Sequence, residues 1–452
     1  MKKHLKKILP MMLALAMLGG CGSINSEQDN LSEDYTIVNP DGEVISTEEK
    51  IPEDNFSTYV EDNVENYVDE SNVSNIESFF EDILPESDSS ENDEETSETT
   101  VSSPAETITY KVYSHNTDVS KKARNVVDGM SDREKAAQLI LARCPSENAA
   151  GLMADYQFAG YTLYAADLAE RDMTSAAEFI AEIKASVEIT PIITVDEEGG
   201  NVVRVSKYPA YRAYPFKSPQ IVYNEEGMDG IISDSAEKAQ LLTSLGFNMN
   251  LAPVADIASP GDYIYDRTAG QDSETTGDIV RQIVDTSGDN GLISCLKHFP
   301  GYGSNIDTHT GIAYDSRSME SFEATDFIPF EIGLSGSYVP SVLVSHNIVE
   351  CMDSELPASL SPSVHKLLRD RFDFEGVIIT DDLGMDAIKA YTGSLSPYVV
   401  GILSGNDLLC VSDPVTAYND LVSAIEDGTI SQKVLDEHVL RVVQMKLDYD
   451  II

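Results

Sequence analysis

The chain has 452 residues and sets 30 lysines and arginines against 78 aspartates and glutamates, a formal net charge of −48. So acidic a molecule repels phosphate, which argues against nucleic acid as a partner. With 42% hydrophobic residues there is still material for one large core or two ordinary ones, so the acidity describes a segment rather than the fold.

The N-terminus reads as a secretion signal. Lys2, Lys3, Lys6 and Lys7 make a basic start, and residues 8–18 form an apolar run too short to span a bilayer. The run closes on Leu18-Gly19-Gly20-Cys21, small residues before a cysteine. That pattern resembles the lipobox of bacterial lipoproteins. It implies cleavage after residue 20, lipidation of Cys21 and anchorage on the outer face of the cell membrane, stable with two or three acyl chains where one would be marginal. Residues 21–107 are dominated by Ser, Asp, Glu and Asn, nearly without basic groups, and predict a disordered, self-repelling tether.

The globular domain is expected over residues 108–452. Ser131 followed by Glu134 has the pattern of a helix capping box. Beyond it, eight apolar runs of strand length lie at 138–142, 161–164, 191–195, 247–251, 292–296, 341–345, 377–380 and 407–411. Amphipathic stretches at 174–186, 233–245, 277–289, 364–372 and 413–426 alternate with them, and 434–446 forms a last helix. Continuous apolar strands separated by helices mean a parallel sheet, and eight such units predict an α/β fold of the (β/α)8 barrel type. A doubly wound sheet would want a glycine-rich dinucleotide turn after an early strand, and there is none. Cys144, Cys295, Cys351 and Cys410 show no close spacing, which predicts free thiols and neither zinc nor redox chemistry.

Polar residues collect just after these strands. Asp196-Glu197-Glu198-Gly199-Gly200 follows the third, and Asp256, then Asp266-Arg267, follow the fourth. Lys297-His298 closes the fifth, His346-Asn347 the sixth and Asp381-Asp382 the seventh. Strand C-termini of such a barrel converge on one mouth, so these groups predict a polar pocket there. Either aspartate of the last pair could attack an anomeric carbon; strand alternation does not choose, because residues 377–380 are apolar on both faces.

The motifs Asp196-Glu197-Glu198-Gly199-Gly200, Leu251-Ala252-Pro253-Val254-Ala255-Asp256, Lys297-His298-Phe299-Pro300-Gly301, Asp307-Thr308-His309, Pro357-Ala358-Ser359-Leu360-Ser361 and Thr380-Asp381-Asp382-Leu383 occur in this order. Together they resemble family 3 glycoside hydrolases, specifically single-domain β-N-acetylhexosaminidases acting on peptidoglycan fragments. The resemblance implies a retaining exo-β-N-acetylglucosaminidase with neither cofactor nor metal, and a monomer whose substrate is a glycan ending in β-GlcNAc. It implies Asp381 as nucleophile and His309, paired with Asp307, as proton donor in place of the usual second carboxylic acid. Asp196, Arg267, Lys297, His298 and Met385 would bind the sugar. An imidazole of ordinary pKa ~6.5 suits donation to a leaving oxygen and later acceptance from water. Other readings are a different β-glycosidase or phosphorylase of the family, or a glycan-binding lipoprotein without turnover. The sequence departs from the family pattern at Glu197, Asn201 and Tyr302, and in a shortened span from Gly303 to Asp307.

Overall fold

The structure is a computed structural model that describes residues 119–305, 313–384, 388, 391–392 and 395–452, with four short strands earlier in the chain. Cys21, Asp307, His309 and Met385 lie outside the described residues. Within residues 1–89, Ile37–Val38 pairs antiparallel with Val44–Ile45. Within residues 90–452, Glu98–Ser102 pairs antiparallel with Thr107–Lys111. Both pairs form where β-branched residues gather in the acidic stretch, the residue type that favours extended backbone.

The domain beyond is a (β/α)8 barrel. Its strands are β1 (Ile140–Arg143), β2 (Gly160–Leu163), β3 (Ile192–Val195), β4 (Met249–Asn250), β5 (Ile293–Phe299), β6 (Ser341–Val344), β7 (Ile378–Thr380) and β8 (Leu409–Val411). They pair in parallel and in chain order, with β8 beside β1. A bridge from Ile379 to Leu408 closes the ring between β7 and β8. All eight runs expected from the sequence are strands.

Alternation along each strand sorts the core. Leu141, Ile192, Met249, Ile293, Cys295, Leu343, Ile379 and Leu408 share one cluster in the barrel interior, joined by Val442 and Met445 from the helix Gln432–Asp448. Their strand neighbours, such as Ile140, Tyr161, Ile193 and Val411 on one side and Leu296, Val342 and Ile378 on the other, pack outward against the helices. Among the described residues no helix is long and apolar enough to cross a membrane.

Local signals set the helix boundaries. The Ser131 capping box forms as expected, its hydroxyl accepting from the Glu134 amide while Glu134 accepts from the Ser131 amide. Ser218 and Pro219 open a helix, Pro219–Leu245, that starts well before the expected residue 233. It bends at Gly227, whose φ of 64° is open to glycine, and the polar turns before that bend carry little apolar periodicity.

Candidate active site

The strand ends that the sequence marked as polar meet at the C-terminal mouth of the barrel. Lys297 and His298 reach it together because β5 carries an extra residue. Val342 faces Leu296 and Val344 faces Phe299, so two steps along β6 match three along β5. Such a bulge breaks the alternation of side chains. Cys295 points into the barrel, Lys297 pairs with groups at the β3 end and His298 with one at the β4 end, and Phe299 returns to the outer core.

Lys297 Nζ lies 2.7 Å from Asp196 Oδ1 and 2.7 Å from Glu198 Oε1. Arg267, in the single turn Tyr265–Arg267, grips Glu198 with two hydrogen bonds of 3.0 and 2.8 Å. Burial alone would raise the Glu198 carboxyl; the Lys297 and Arg267 charges outweigh it and hold it down to about 2. Burial would likewise lower the Lys297 amine, yet Asp196 and Glu198 raise it instead. Glu198 and Lys297 thus hold each other in the charged form, and exposure divides the cluster. The side chains of Asp196 and Arg267 remain 20% and 19% exposed, whereas those of Lys297 and Glu198 are 3% and 2% exposed. Asp196 and Arg267 can touch a ligand directly, and Lys297 and Glu198 brace them from behind.

His298 joins the network through both ring nitrogens. Nδ1 is 2.7 Å from Asp256 Oδ2, and Nε2 is 3.2 Å from Arg267. A guanidinium only donates, so Nε2 accepts and Nδ1 carries the hydrogen toward Asp256. The buried Asp256 also accepts the His298 amide and, at 2.7 Å, the Tyr302 amide, which ties the start of the loop after β5 to the β4 end. At the loop's far side Arg317 pairs with both Asp315 and Asp326 at 2.7 Å. Asp307 and His309 belong to the stretch between these two anchors.

At β7, Ile379 faces the interior and Ile378 the outer core, and Asp381 and Asp382 follow directly after the strand's last residue, Thr380. Asp382 accepts the Gly384 amide at 2.8 Å and the Ser412 hydroxyl. Its carbonyl lies 3.1 Å from His346 Nε2, and Nδ1 of that ring lies 2.7 Å from the Ser359 hydroxyl. A carbonyl only accepts, so Nε2 bears the hydrogen, and the buried His346 steadies the turn that carries both aspartates. Beneath them, burial, followed by the charges of Asp381 and Asp382, pushes the Cys410 thiol well up. The four described cysteines are free, Cys144 and Cys295 buried and Cys351 and Cys410 half-buried.

Reading of the sequence placed Glu198 and Asp256 among the polar strand-end groups but gave neither a role of its own. The signal was present, since both stand in the same strand-end motifs as Asp196 and the fourth-strand run, but their partners come from other strands. The departure at Glu197 also has a physical account. Its buried carboxylate accepts the amides of Arg204 and Val205 at 2.7 Å each and the Ser206 amide at 3.2 Å, besides the Ser206 hydroxyl. An acceptor-only side chain suits four donors.

The family model for the glycosyl hydrolase family 3 N terminal domain matches residues 130–445. A β-hexosaminidase of Xanthomonas campestris pv. campestris is 30% identical over 283 residues, 61% of this chain and 83% of that protein. A β-hexosaminidase of Xylella fastidiosa is 31% identical over 268 residues, 57% of this chain and 78% of that one. The structure of a glycoside hydrolase family 3 β-N-acetylglucosaminidase from Paenibacillus sp. superposes with a TM-score of 0.66 at 26% identity. That match covers 72% of this chain and 63% of the Paenibacillus chain, less than two thirds. M. tuberculosis LpqI superposes with a TM-score of 0.65 at 25% identity, covering 73% of this chain and 97% of that one.

Proposed function

The chain belongs to glycosyl hydrolase family 3 and is a glycoside hydrolase, and on that premise we propose that it removes terminal β-linked N-acetylglucosamine with retention of configuration. Asp381 attacks the anomeric carbon as the bond to the leaving oxygen breaks, giving a glycosyl-aspartate. His309 protonates that oxygen and then takes a proton from the water that attacks the intermediate, with Asp307 orienting its ring. The observation that carries this reading is the joined cluster Asp196–Lys297–Glu198–Arg267–His298 at the same barrel end as Asp381. A fixed array of opposite charges, braced by its own ion pairs, grips hydroxyl and amide groups of a sugar at little reorganisation cost. Cell-wall fragments ending in β-GlcNAc are the proposed substrates, a reading supported by the export signature that ends at Cys21.

The test compares aryl β-GlcNAc, aryl β-glucoside and a β-GlcNAc-terminated wall disaccharide, each with and without phosphate. Wild-type protein is expected to favour both β-GlcNAc substrates and to release free sugar. Asp381→Ala should lose about a thousandfold or more in kcat, and His309→Ala about a hundredfold. Faster cleavage of the glucoside would overturn the N-acetylglucosaminidase assignment, and a sugar phosphate product would replace hydrolysis with phosphorolysis. Inertness toward the disaccharide alone would remove the cell-wall substrate.

A further inference from the structure

The segments after β5 and β7 carry the two halves of the proposed chemistry, and a pair of phenols joins them. Asp307 and His309 belong to residues 306–312, and the residues flanking that stretch fix its neck. On one side Asn305 Nδ2 donates to Asp315 Oδ2 at 3.3 Å. On the other, Tyr314–Asp315 pairs in parallel with Ile348–Val349 after β6. The Ile348 amide donates to the Ala313 carbonyl and the Glu350 amide to the Asp315 carbonyl, each at 2.9 Å. The neck is thus closed by its own bonds. The Tyr314 side chain, on a residue 58% exposed, does something else: its hydroxyl lies 3.1 Å from that of Tyr391. Tyr391 stands ten residues after Asp381. Its amide donates to the Ile388 carbonyl at 3.0 Å, and its ring packs on the buried core that holds both Ile388 and Leu383, just beyond Asp382.

We propose that Tyr314 and Tyr391 are a positioning pair whose hydroxyl–hydroxyl bond sets the neck of the His309 stretch against the segment that follows Asp381. Nucleophile and proton donor must meet one glycosidic bond from two different loops, and a misplacement of about 1 Å between such groups costs up to about a hundredfold in rate. Because the neck already closes on itself through Asn305, Asp315 and the strand pairing, the phenol bond adds nothing to the folding of that loop. Its consequence is the placement of one loop relative to the other. A bond between two phenols is modest in net strength, so its loss spreads the placements of the two loops and leaves the barrel intact. The pair rests on the reading of His309 as proton donor and Asp381 as nucleophile.

The test reads kcat/KM, which reports the steps up to departure of the leaving group, on two substrates. In dinitrophenyl β-GlcNAc the leaving group departs as a stable anion and needs no proton. In the β-1,4-linked disaccharide of GlcNAc it is a sugar oxygen that must be protonated. Tyr314→Phe and Tyr391→Phe keep both rings and drop one hydroxyl each. Each is expected to lower kcat/KM for the disaccharide about fivefold and to change the dinitrophenyl substrate by less than about twofold. The double variant should lose no more than either single one, because both remove the same bond. Equal losses on the two substrates, no loss on the disaccharide, or a double loss equal to the product of the single ones would each overturn the positioning pair. His309→Ala keeps the fate of the pair apart from that of the reading beneath it. That variant should lose about a hundredfold on the disaccharide and far less on the dinitrophenyl substrate. Equal losses for His309→Ala would overturn the proton-donor reading and the pair with it.

Discussion

Lys297 stands between two carboxylates with one charge to share, and Arg267 supplies the second charge that Glu198 needs. Removing one member of so buried a network leaves another uncompensated, which costs more than the pair contributes when whole. Glu198→Gln should destabilise the domain by about 3 kcal/mol at pH 7, measured by denaturant unfolding. The cost depends on pH in a defined direction. The Glu198 pKa is depressed from 4.5 to about 2, so its contribution is complete above pH ~4.5 and disappears as pH falls toward ~2. The gap between wild type and Glu198→Gln should close over that window; a gap that stayed constant would place the cost elsewhere. This network was half legible beforehand. Asp196, Lys297 and His298 stand at strand ends and Arg267 in the polar loop after β4, where they declare themselves. Glu198 and Asp256 are bracing groups whose value depends on which strand lies beside which.

At the scale of elements, the strands were readable because parallel barrel strands are buried on both faces and so appear as unbroken apolar runs. The same property hid the orientation of β7, where alternation could not choose between Asp381 and Asp382. It also hid the β5 bulge, since an extra residue is defined only against the partner strand. The junction of β7 and β8 has its own lock. Asp407, just before β8, accepts from Arg441 and Arg369 at 2.7 Å and from the Ile378 amide at 2.8 Å, with His438 Nδ1 at 2.6 Å. All four side chains are buried, and burial, which would raise the carboxyl, is outweighed by the two arginines, which lower it. Asp407→Ala removes the acceptor for two buried guanidinium groups and frees the start of the strand that leads to Asp381. Unfolding experiments should show a loss of about 3–5 kcal/mol, seen as a Tm drop of about 5–10 °C. A shift below about 2 °C would mean the seam is held by packing alone.

The whole domain is closed from below by its last helix, Gln432–Asp448, which sends Val442 and Met445 into the barrel interior. Lys446, on the same helix, is fully buried and donates to Gln138 Oε1, the side-chain amide oxygen, at 2.8 Å, and burial pushes its pKa down from 10.5 to about 7. Below pH ~7 the lysine is charged in both folded and unfolded states, and the folded state bears the full cost of a buried charge. Between ~7 and 10.5 the folded state releases the proton first, and the cost fades as pH rises. Lys446→Met should therefore gain on the order of 2 kcal/mol over wild type at pH 6, with the gain shrinking toward pH 10 in denaturant titrations. A gain that grew with pH would contradict a charged lysine at the barrel floor. The same helix reaches back to the first elements, where Gln444 accepts the Ser120 amide at 2.7 Å, just as β8 pairs with β1. Strand pairing here joins the earliest and latest parts of the domain to leave the ribosome. A growing chain that stops short of residue 432 holds most of the pocket's residues yet lacks the floor that packs beneath them. Synthesis of this helix, rather than the appearance of Asp381, sets the earliest moment at which the closed barrel can exist.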